Sequence, residues 1–174
     1  MKRILGIIVV AAAAVVAYWS FSSSESGTPT PDSTAASFEP VMASELPNLL
    51  LTTTDGKQVN VNTLKGKIIL VLFQPDCDHC QREAQEFREN LDSFRKYTLY
   101  FITSNPMPEI AQFATDYQLA GKPGVVFAYT EVMNVINTFG QVRTPSIYVY
   151  GPRGELIKSF NGETPVTTVA AVLK

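Results

Sequence analysis

The chain of 174 residues carries 14 Lys and Arg against 16 Asp and Glu, a formal charge of −2 at pH 7, and 45 % hydrophobic residues. That balance cannot build the concentrated positive surface that phosphate backbones require, which argues against nucleic acid as a partner. Its 2 cysteines cannot frame a disulfide-dense secreted scaffold, and the length suits one globular domain with roughly a fifth of the chain left over.

The surplus lies at the N-terminus. Met1-Lys2-Arg3 precedes ILGIIVVAAAAVVAYWSF, an apolar run with no further charge until Glu25. Residues 4–21 are long enough to cross a bilayer core as one helix. Lys2 and Arg3 on its front edge keep the N-terminus cytoplasmic, and Tyr18 and Trp19 suit the opposite interface. Residues 1–21 are therefore expected to be a retained signal-anchor. The competing reading is a signal peptide cleaved near Ser20 and Ser22, which would release the domain into the periplasm. Residues 22–44 are rich in Ser, Thr and Pro. They bury too little apolar surface to offset the entropy of ordering, and are expected to be a flexible tether. Residues 45–174 then form the folded domain.

Residues 48–54 and 57–62 flank Asp55-Gly56, a two-residue hairpin signal. Residues 68–73, IILVLF, are a continuous apolar run typical of a strand buried on both faces. Pro-Asp-Cys-Asp-His-Cys follows at 75–80 and holds both cysteines and the single histidine. Ala84, Phe87, Leu91 and Phe94 then recur at helical spacing, predicting one helix to about residue 97. Residues 98–102 give the next strand, and a strand–helix–strand crossover places the two strands parallel. Pro108 opens another helix with Ile110, Phe113, Ala114 and Tyr117 on one face. After a short strand at 125–128, Thr130 is expected to cap a helix carrying Val132, Val135, Ile136 and Phe139. Residues 146–150 and 155–160 pair as a hairpin around Gly151-Pro152-Arg153-Gly154. Thr164-Pro165 starts a last helix with Val166, Val169, Ala170 and Leu173 inward. The sum is an α/β domain with a mixed central sheet flanked by helices, its cysteines at the junction of a central strand and a helix.

That junction carries the chemistry. Cys77 and Cys80, three residues apart on a first helical turn, face the same way and can form a disulfide. Free N–H groups and the helix dipole favour an anion there, so a nucleophilic thiolate is expected at Cys77. Cys80 is placed to displace whatever Cys77 captures. A purely structural staple closing so short a loop would remove little unfolded-state entropy. Zinc would need a second Cys/His pair that the chain lacks, while copper(I) held by the two thiolates stays open. His79 is expected to support the Cys77 thiolate electrostatically, against the alternative of a solvated side chain without a role. Asp76 and Asp78 oppose that thiolate as charges and are read as helix caps, Asp78 with Gln81 forming a capping box. Cys80, Ala84, Phe87 and Leu91 define the inward face of the helix, with Glu83 at its edge and Arg82 pointing nearly opposite. A carboxyl so placed has a raised pKa and can exchange a proton with Cys80; the alternative is an exposed glutamate favoured by the dipole. The spacing alone gives no reason to expect a cis bond at Thr144-Pro145.

The stretch TLKGKIILVLFQPDCDHCQRE, the later VRTPSIYVYGPRGELIKSFNGE and the element order between them resemble thioredoxin-fold proteins over residues 45–174. The resemblance is greatest to the membrane-anchored thiol–disulfide oxidoreductases of the bacterial envelope, the TlpA and ResA type. It implies a thioredoxin fold with an N-terminal β-hairpin, Cys77 as the exposed nucleophile and Cys80 as the resolving thiol. It further implies Pro145 as a cis-proline packed against the pair, and Thr144 offering backbone groups to a substrate strand. Glu83 falls where this type carries a glutamate three residues beyond the second cysteine. Two departures stand out: Asp76 where Trp is common before the first cysteine, and Asp-His between the cysteines where Pro-Pro or Glu-Pro is common.

The implied activity is dithiol–disulfide exchange with cysteine-bearing envelope proteins, in the reductase direction. A membrane thiol donor would feed it, as in relatives that serve cytochrome c maturation. The resemblance implies a monomer with no cofactor and no metal, anchored in the inner membrane with the domain on the periplasmic side. Two rivals share the fold or the thiols. One is a peroxiredoxin-like peroxidase, whose P-x-x-x-T/S-x-x-C pattern is not met around Pro75; the other is a non-enzymatic copper(I)-binding chaperone.

Overall fold

Strand β3 (Ile68–Leu72) is buried along its whole length and sits at the middle of the sheet. The computed structural model describes residues 45–173; the expected anchor and tether, residues 1–21 and 22–44, lie outside them. Among the described residues no helix is long and apolar enough to cross a membrane. The other strands are β1 (Leu50–Thr53), β2 (Gln58–Asn60), β4 (Thr98–Thr103), β5 (Val125–Tyr129), β6 (Ser146–Tyr150) and β7 (Leu156–Asn161). They form one sheet in the order β2-β1-β5-β4-β3-β6-β7. As the crossover rule requires, β3 and β4 are parallel, and β5 joins β4 in the same sense. The remaining pairs are antiparallel, so the sheet is mixed.

Alternation along the central strands sorts the core into two layers. Ile69, Val71 and Phe73, with Leu99 and Phe101 of β4 and Ile147 and Val149 of β6, face one side. Helices α1 (Asp78–Glu89), α3 (Met107–Asp116) and α5 (Val166–Ala171) cover that side through Ala84, Phe87, Ile110, Phe113, Val166 and Val169. Ile68, Leu70, Leu72 and Tyr150 face the other side, where Tyr148 stacks on Phe139 of α4 (Val132–Phe139). Phe73, just past the end of β3, packs against Phe113 and Phe127 with ring centroids 4.6 and 5.9 Å away. It fixes the strand end from which the cysteine loop departs.

Three local expectations are corrected. The β1–β2 hairpin turns through three residues, not two: Thr53 N–H donates to Lys57 O at 2.9 Å and Gly56 N–H to Thr53 O at 2.8 Å. Gly56 sits at φ 81°, the left-handed region that such a loop needs. The long helix predicted to residue 97 stops at Glu89. Asn90 leaves helical geometry (φ −115°, ψ 18°) and its side chain donates back to Glu86 O at 2.8 Å; a short α2 (Leu91–Phe94) follows. Phe94 stays buried against Phe87, which is why the apolar spacing hid the break. Thr130 does not cap α4. Its hydroxyl donates to Leu50 O at 2.8 Å and ties β1 to the end of β5, leaving Glu131 at the cap position with no side-chain bond to the helix N–H groups.

Candidate active site at the head of the first helix

Strand β3 ends at Leu72 opposite Ser146, the first residue of β6. The loop that leaves β3 and the Thr144-Pro145 peptide that enters β6 therefore meet at one rim of the sheet. The Thr144-Pro145 bond is cis, as the resemblance implied and the sequence spacing did not. Both cysteines are free thiols, Cys77 half-buried and Cys80 buried. Cys77 Sγ faces Thr144 O at 3.7 Å, across a separation of 67 residues in the chain.

The helix cap differs from the predicted one. Cys77 itself is the N-cap of α1, and its sulfur accepts the Cys80 N–H at 3.4 Å. Neither Asp76 nor Asp78 fills that place: Asp78 is already the first helical residue, where its charge suits the dipole. The Gln81 amide donates to Pro75 O at 2.9 Å and so does not close a capping box. The Cys77 sulfur thus holds an acceptor position at the helix head. Cys80 lies behind it at 2 % exposure. Burial, followed by the neighbouring Cys77 sulfur, pushes the Cys80 thiol up to about 12, against smaller opposing bonds from Gln74 and Thr144.

Glu83, one turn beyond Cys80, is more deeply buried than an edge position suggested, at 2 % exposure. Burial drives its carboxyl up from 4.5 to about 8; the Thr164 N–H, donated to Oε1 at 3.2 Å, opposes this, and the charges of Glu163 and Glu86 add to it. Its Oε2 has no hydrogen-bond partner. A buried carboxyl with one free oxygen, on the same helix face as a buried thiol, is suited to proton exchange.

His79 is not aimed at Cys77. Its Nδ1 lies against Glu163 Oε2 and within 2.6 Å of Arg82 Nη2. Arg82, expected to point nearly opposite the inward face, grips Glu163 with Nε at 2.7 Å and Nη2 at 2.8 Å. Sequence reading missed this cluster and the loop between β7 and α5 that supplies Glu163 and Thr164. These partners lie 81 to 84 residues along the chain from the α1 side chains they bond, and no local periodicity signals them. A groove of about 430 Å³ opens beside the dithiol, bounded by Phe73, Gln74 and Thr144 on one side and Val132, Val135 and Ile136 of α4 on the other. Among the described residues no group of three or more His, Cys, Asp and Glu is arranged to hold a metal ion.

Comparison with solved structures places the chain in the thioredoxin-like fold. A secreted disulfide oxidoreductase of Mycobacterium tuberculosis superposes with a TM-score of 0.61 at 16 % identity, covering 72 % of this chain and 96 % of its own. Copper-bound ScoI of Arabidopsis thaliana gives 0.60 at 15 % identity, covering 74 % and 94 %. The peroxidoxin BcpB of Mycobacterium tuberculosis gives 0.59 at 15 % identity, covering 74 % and 92 %. No curated protein sequence matches. Three chemistries on one backbone at this identity speak for the fold alone. The sequence match to the AhpC/TSA family, by contrast, runs over residues 42–159, most of the folded domain, and the chain belongs to that family.

Proposed function

We propose that this protein is a dithiol–disulfide exchange enzyme of the bacterial envelope, working through Cys77 and Cys80. The observation that carries the reading is the asymmetry of the pair: an accessible sulfur bonded to a helix-head N–H, and a buried thiol directly behind it with a buried carboxyl one turn further on. The Cys77 thiolate attacks one sulfur of a substrate disulfide; that S–S bond breaks and the other substrate sulfur leaves as a thiolate. Glu83 takes the proton of Cys80, whose sulfur then attacks Cys77 and expels the second substrate thiolate. Two electrons pass from the protein dithiol to the substrate, and the resulting Cys77–Cys80 disulfide is reduced again by a thiol donor. Thr144 presents backbone groups beside the reacting sulfur, where a substrate segment can pair in β fashion, and the groove along α4 gives its neighbouring apolar side chains a place to lie.

In this reading residues 1–21 anchor the chain in the inner membrane and residues 22–44 tether the domain of 45–174 on the periplasmic side. The domain acts as a TlpA/ResA-type reductase fed by a membrane thiol donor. The test is to trap partners. Cys80→Ser leaves mixed disulfides on Cys77 unresolved, and mass spectrometry of the captured adducts identifies them. Cysteine-bearing envelope proteins are expected; an absence of adducts that depend on Cys77 sinks the reading.

The family match and the peroxidoxin likeness favour a second reading, a thiol peroxidase, although Gln74 stands where that chemistry places Thr or Ser three residues before its cysteine. Consumption of hydrogen peroxide by the purified chain, without a disulfide substrate, would support it over exchange. Stoichiometric retention of copper(I) with no exchange activity would support a copper chaperone instead.

A further inference from the structure

Residues 161–166 are bonded to both sides of the dithiol. On the proline side, Asn161 Oδ1 accepts the Ser146 hydroxyl at 3.3 Å and Gly162 N–H donates to Pro145 O at 2.9 Å. On the helix side, Thr164 N–H reaches Glu83 Oε1 and Val166 N–H reaches Glu86 Oε2 at 2.8 Å. Glu163 stands between these contacts, next in sequence to the residue that bonds Glu83. It takes a two-pronged bond from Arg82, with His79 against one of its oxygens. That bond, and then the contact with His79, hold its carboxyl near 2, far below the usual range. Glu163 is therefore an anion at any working pH.

The position of this anion affects Glu83 in two ways. As a like charge it disfavours ionisation of Glu83, and it also holds the guanidinium of Arg82. Arg82 is the residue adjacent to Glu83 on α1, and without its partner it would be a free cation one residue away. The other charged or titratable groups facing Glu83 are Glu86 and Cys80 on its own helix. The residues of α5, VTTVAA, bring none. We propose that Glu163 is a positioning residue for the exchange reaction: it pins Arg82 and His79 at the loop and keeps the guanidinium from drawing the Glu83 carboxyl into its ionised form. The proposal rests on the exchange reading given above.

The test uses the reduced full chain and the chromogenic aryl disulfide dithiobis(nitrobenzoate), followed by stopped flow across pH. Cys77 attack releases one aryl thiolate. Displacement by Cys80, with its proton passing to Glu83 and on to solvent, releases a second, so that two protein electrons reduce one reagent molecule. The second phase is expected to quicken with pH along a sigmoid that disappears in Glu83→Gln. Glu163→Gln moves its midpoint lower by roughly one pH unit. Arg82→Gln leaves Glu163 with His79 as its one remaining counter-charge and moves the midpoint higher, while Glu163→Asp keeps it near the parent. Both neutral substitutions break the same ion pair, so a loop with a merely structural role would shift both in one direction.

Shifts of the same sign, no shift in Glu163→Gln, or a sigmoid that survives Glu83→Gln overturn the proposal. Circular dichroism establishes that each variant folds; should Glu163→Gln fail to, the absence of an upward shift in Arg82→Gln is decisive against it. A parent chain that releases only one aryl thiolate per molecule overturns the exchange reading itself. A biphasic parent with unmoved variants overturns only the role of Glu163.

Discussion

Replacing Glu83 by Gln is expected to stabilise the fold, and increasingly so as pH rises. Burial lifts the folded-state carboxyl to about 8, against an ordinary value of 4.5 in the unfolded chain. Below 4.5 both states hold the proton and the group costs nothing electrostatically. As pH rises from there to about 8, the unfolded chain gives up its proton while the folded chain keeps it, and stability is lost through that window. At about 1.36 kcal/mol per tenfold difference in proton affinity, the loss is roughly 3 kcal/mol at pH 7 and roughly 5 kcal/mol at pH 9. Gln cannot ionise and retains an oxygen for the Thr164 N–H, but its amide puts two N–H donors where the protonated parent puts one O–H without a partner. An unpaired buried donor costs about 1–3 kcal/mol at every pH. The variant should then be slightly weaker than the parent near pH 4.5 and more stable by about 1–3 kcal/mol at pH 8 and above. Urea unfolding of the two reduced chains at a series of pH values measures this directly. The stability difference should climb by roughly 4 kcal/mol across the range. A difference that stays flat refutes the reasoning, because it would mean that Glu83 ionises in the folded protein as it does in water.

The other expectations concern the frame of the site. Phe73→Ala removes a ring that is 2 % exposed and packed on Phe101, Phe113 and Phe127, and should lower stability by about 3–5 kcal/mol in urea melts. A loss below about 1 kcal/mol would contradict the packing described. Thr130→Val keeps the shape and deletes the bond to Leu50 O, which should cost about 0.5–1.5 kcal/mol and loosen exchange protection between β1 and β5; unchanged stability and protection would count against that tie. Brief treatment of the reduced chain with iodoacetamide at neutral pH should label Cys77 more than about tenfold faster than Cys80, since only the thiolate reacts and Cys80 is buried and held protonated. Peptide mapping showing equal labelling would overturn the division of roles.

The parts of this architecture that follow from contiguous pattern could be read from the chain. The apolar run at 68–73, the helical spacing of Ala84 and Phe87, and the strand at 98–102 gave a parallel crossover with the cysteines at its strand–helix junction, and the sheet has that form. Angular position around α1 also gave the inward lean of Glu83. What stayed hidden depends on partners distant in sequence. The Thr130 hydroxyl goes to β1 because β5 pairs with that strand, a pairing of sequence positions about 75 residues apart that no capping rule contains. His79 and Arg82 are drawn to Glu163, an acceptor in a loop whose place is set by the β6–β7 hairpin. The Asn90 break escaped notice because Phe94 keeps its inward direction across it. The cap was misread because Asp and Ser-like residues dominate such positions, and here a sulfur does the work.

One seam in the sheet has a consequence for how this scaffold can vary. Leu72 and Ser146 face each other across the β3–β6 ladder, and the Cys77 sulfur and the proline peptide are placed by those two positions. Sliding that ladder by two residues would carry Pro145 roughly 7 Å along the rim, and sliding it by one would turn every side chain of β6 into the opposite layer. The exposed side chains of α4 that line the groove, Val132 and Ile136, lie outside the seam. Those side chains can change while Cys77 keeps its distance from the Thr144 peptide, so the groove beside the two cysteines can be reshaped without moving either of them.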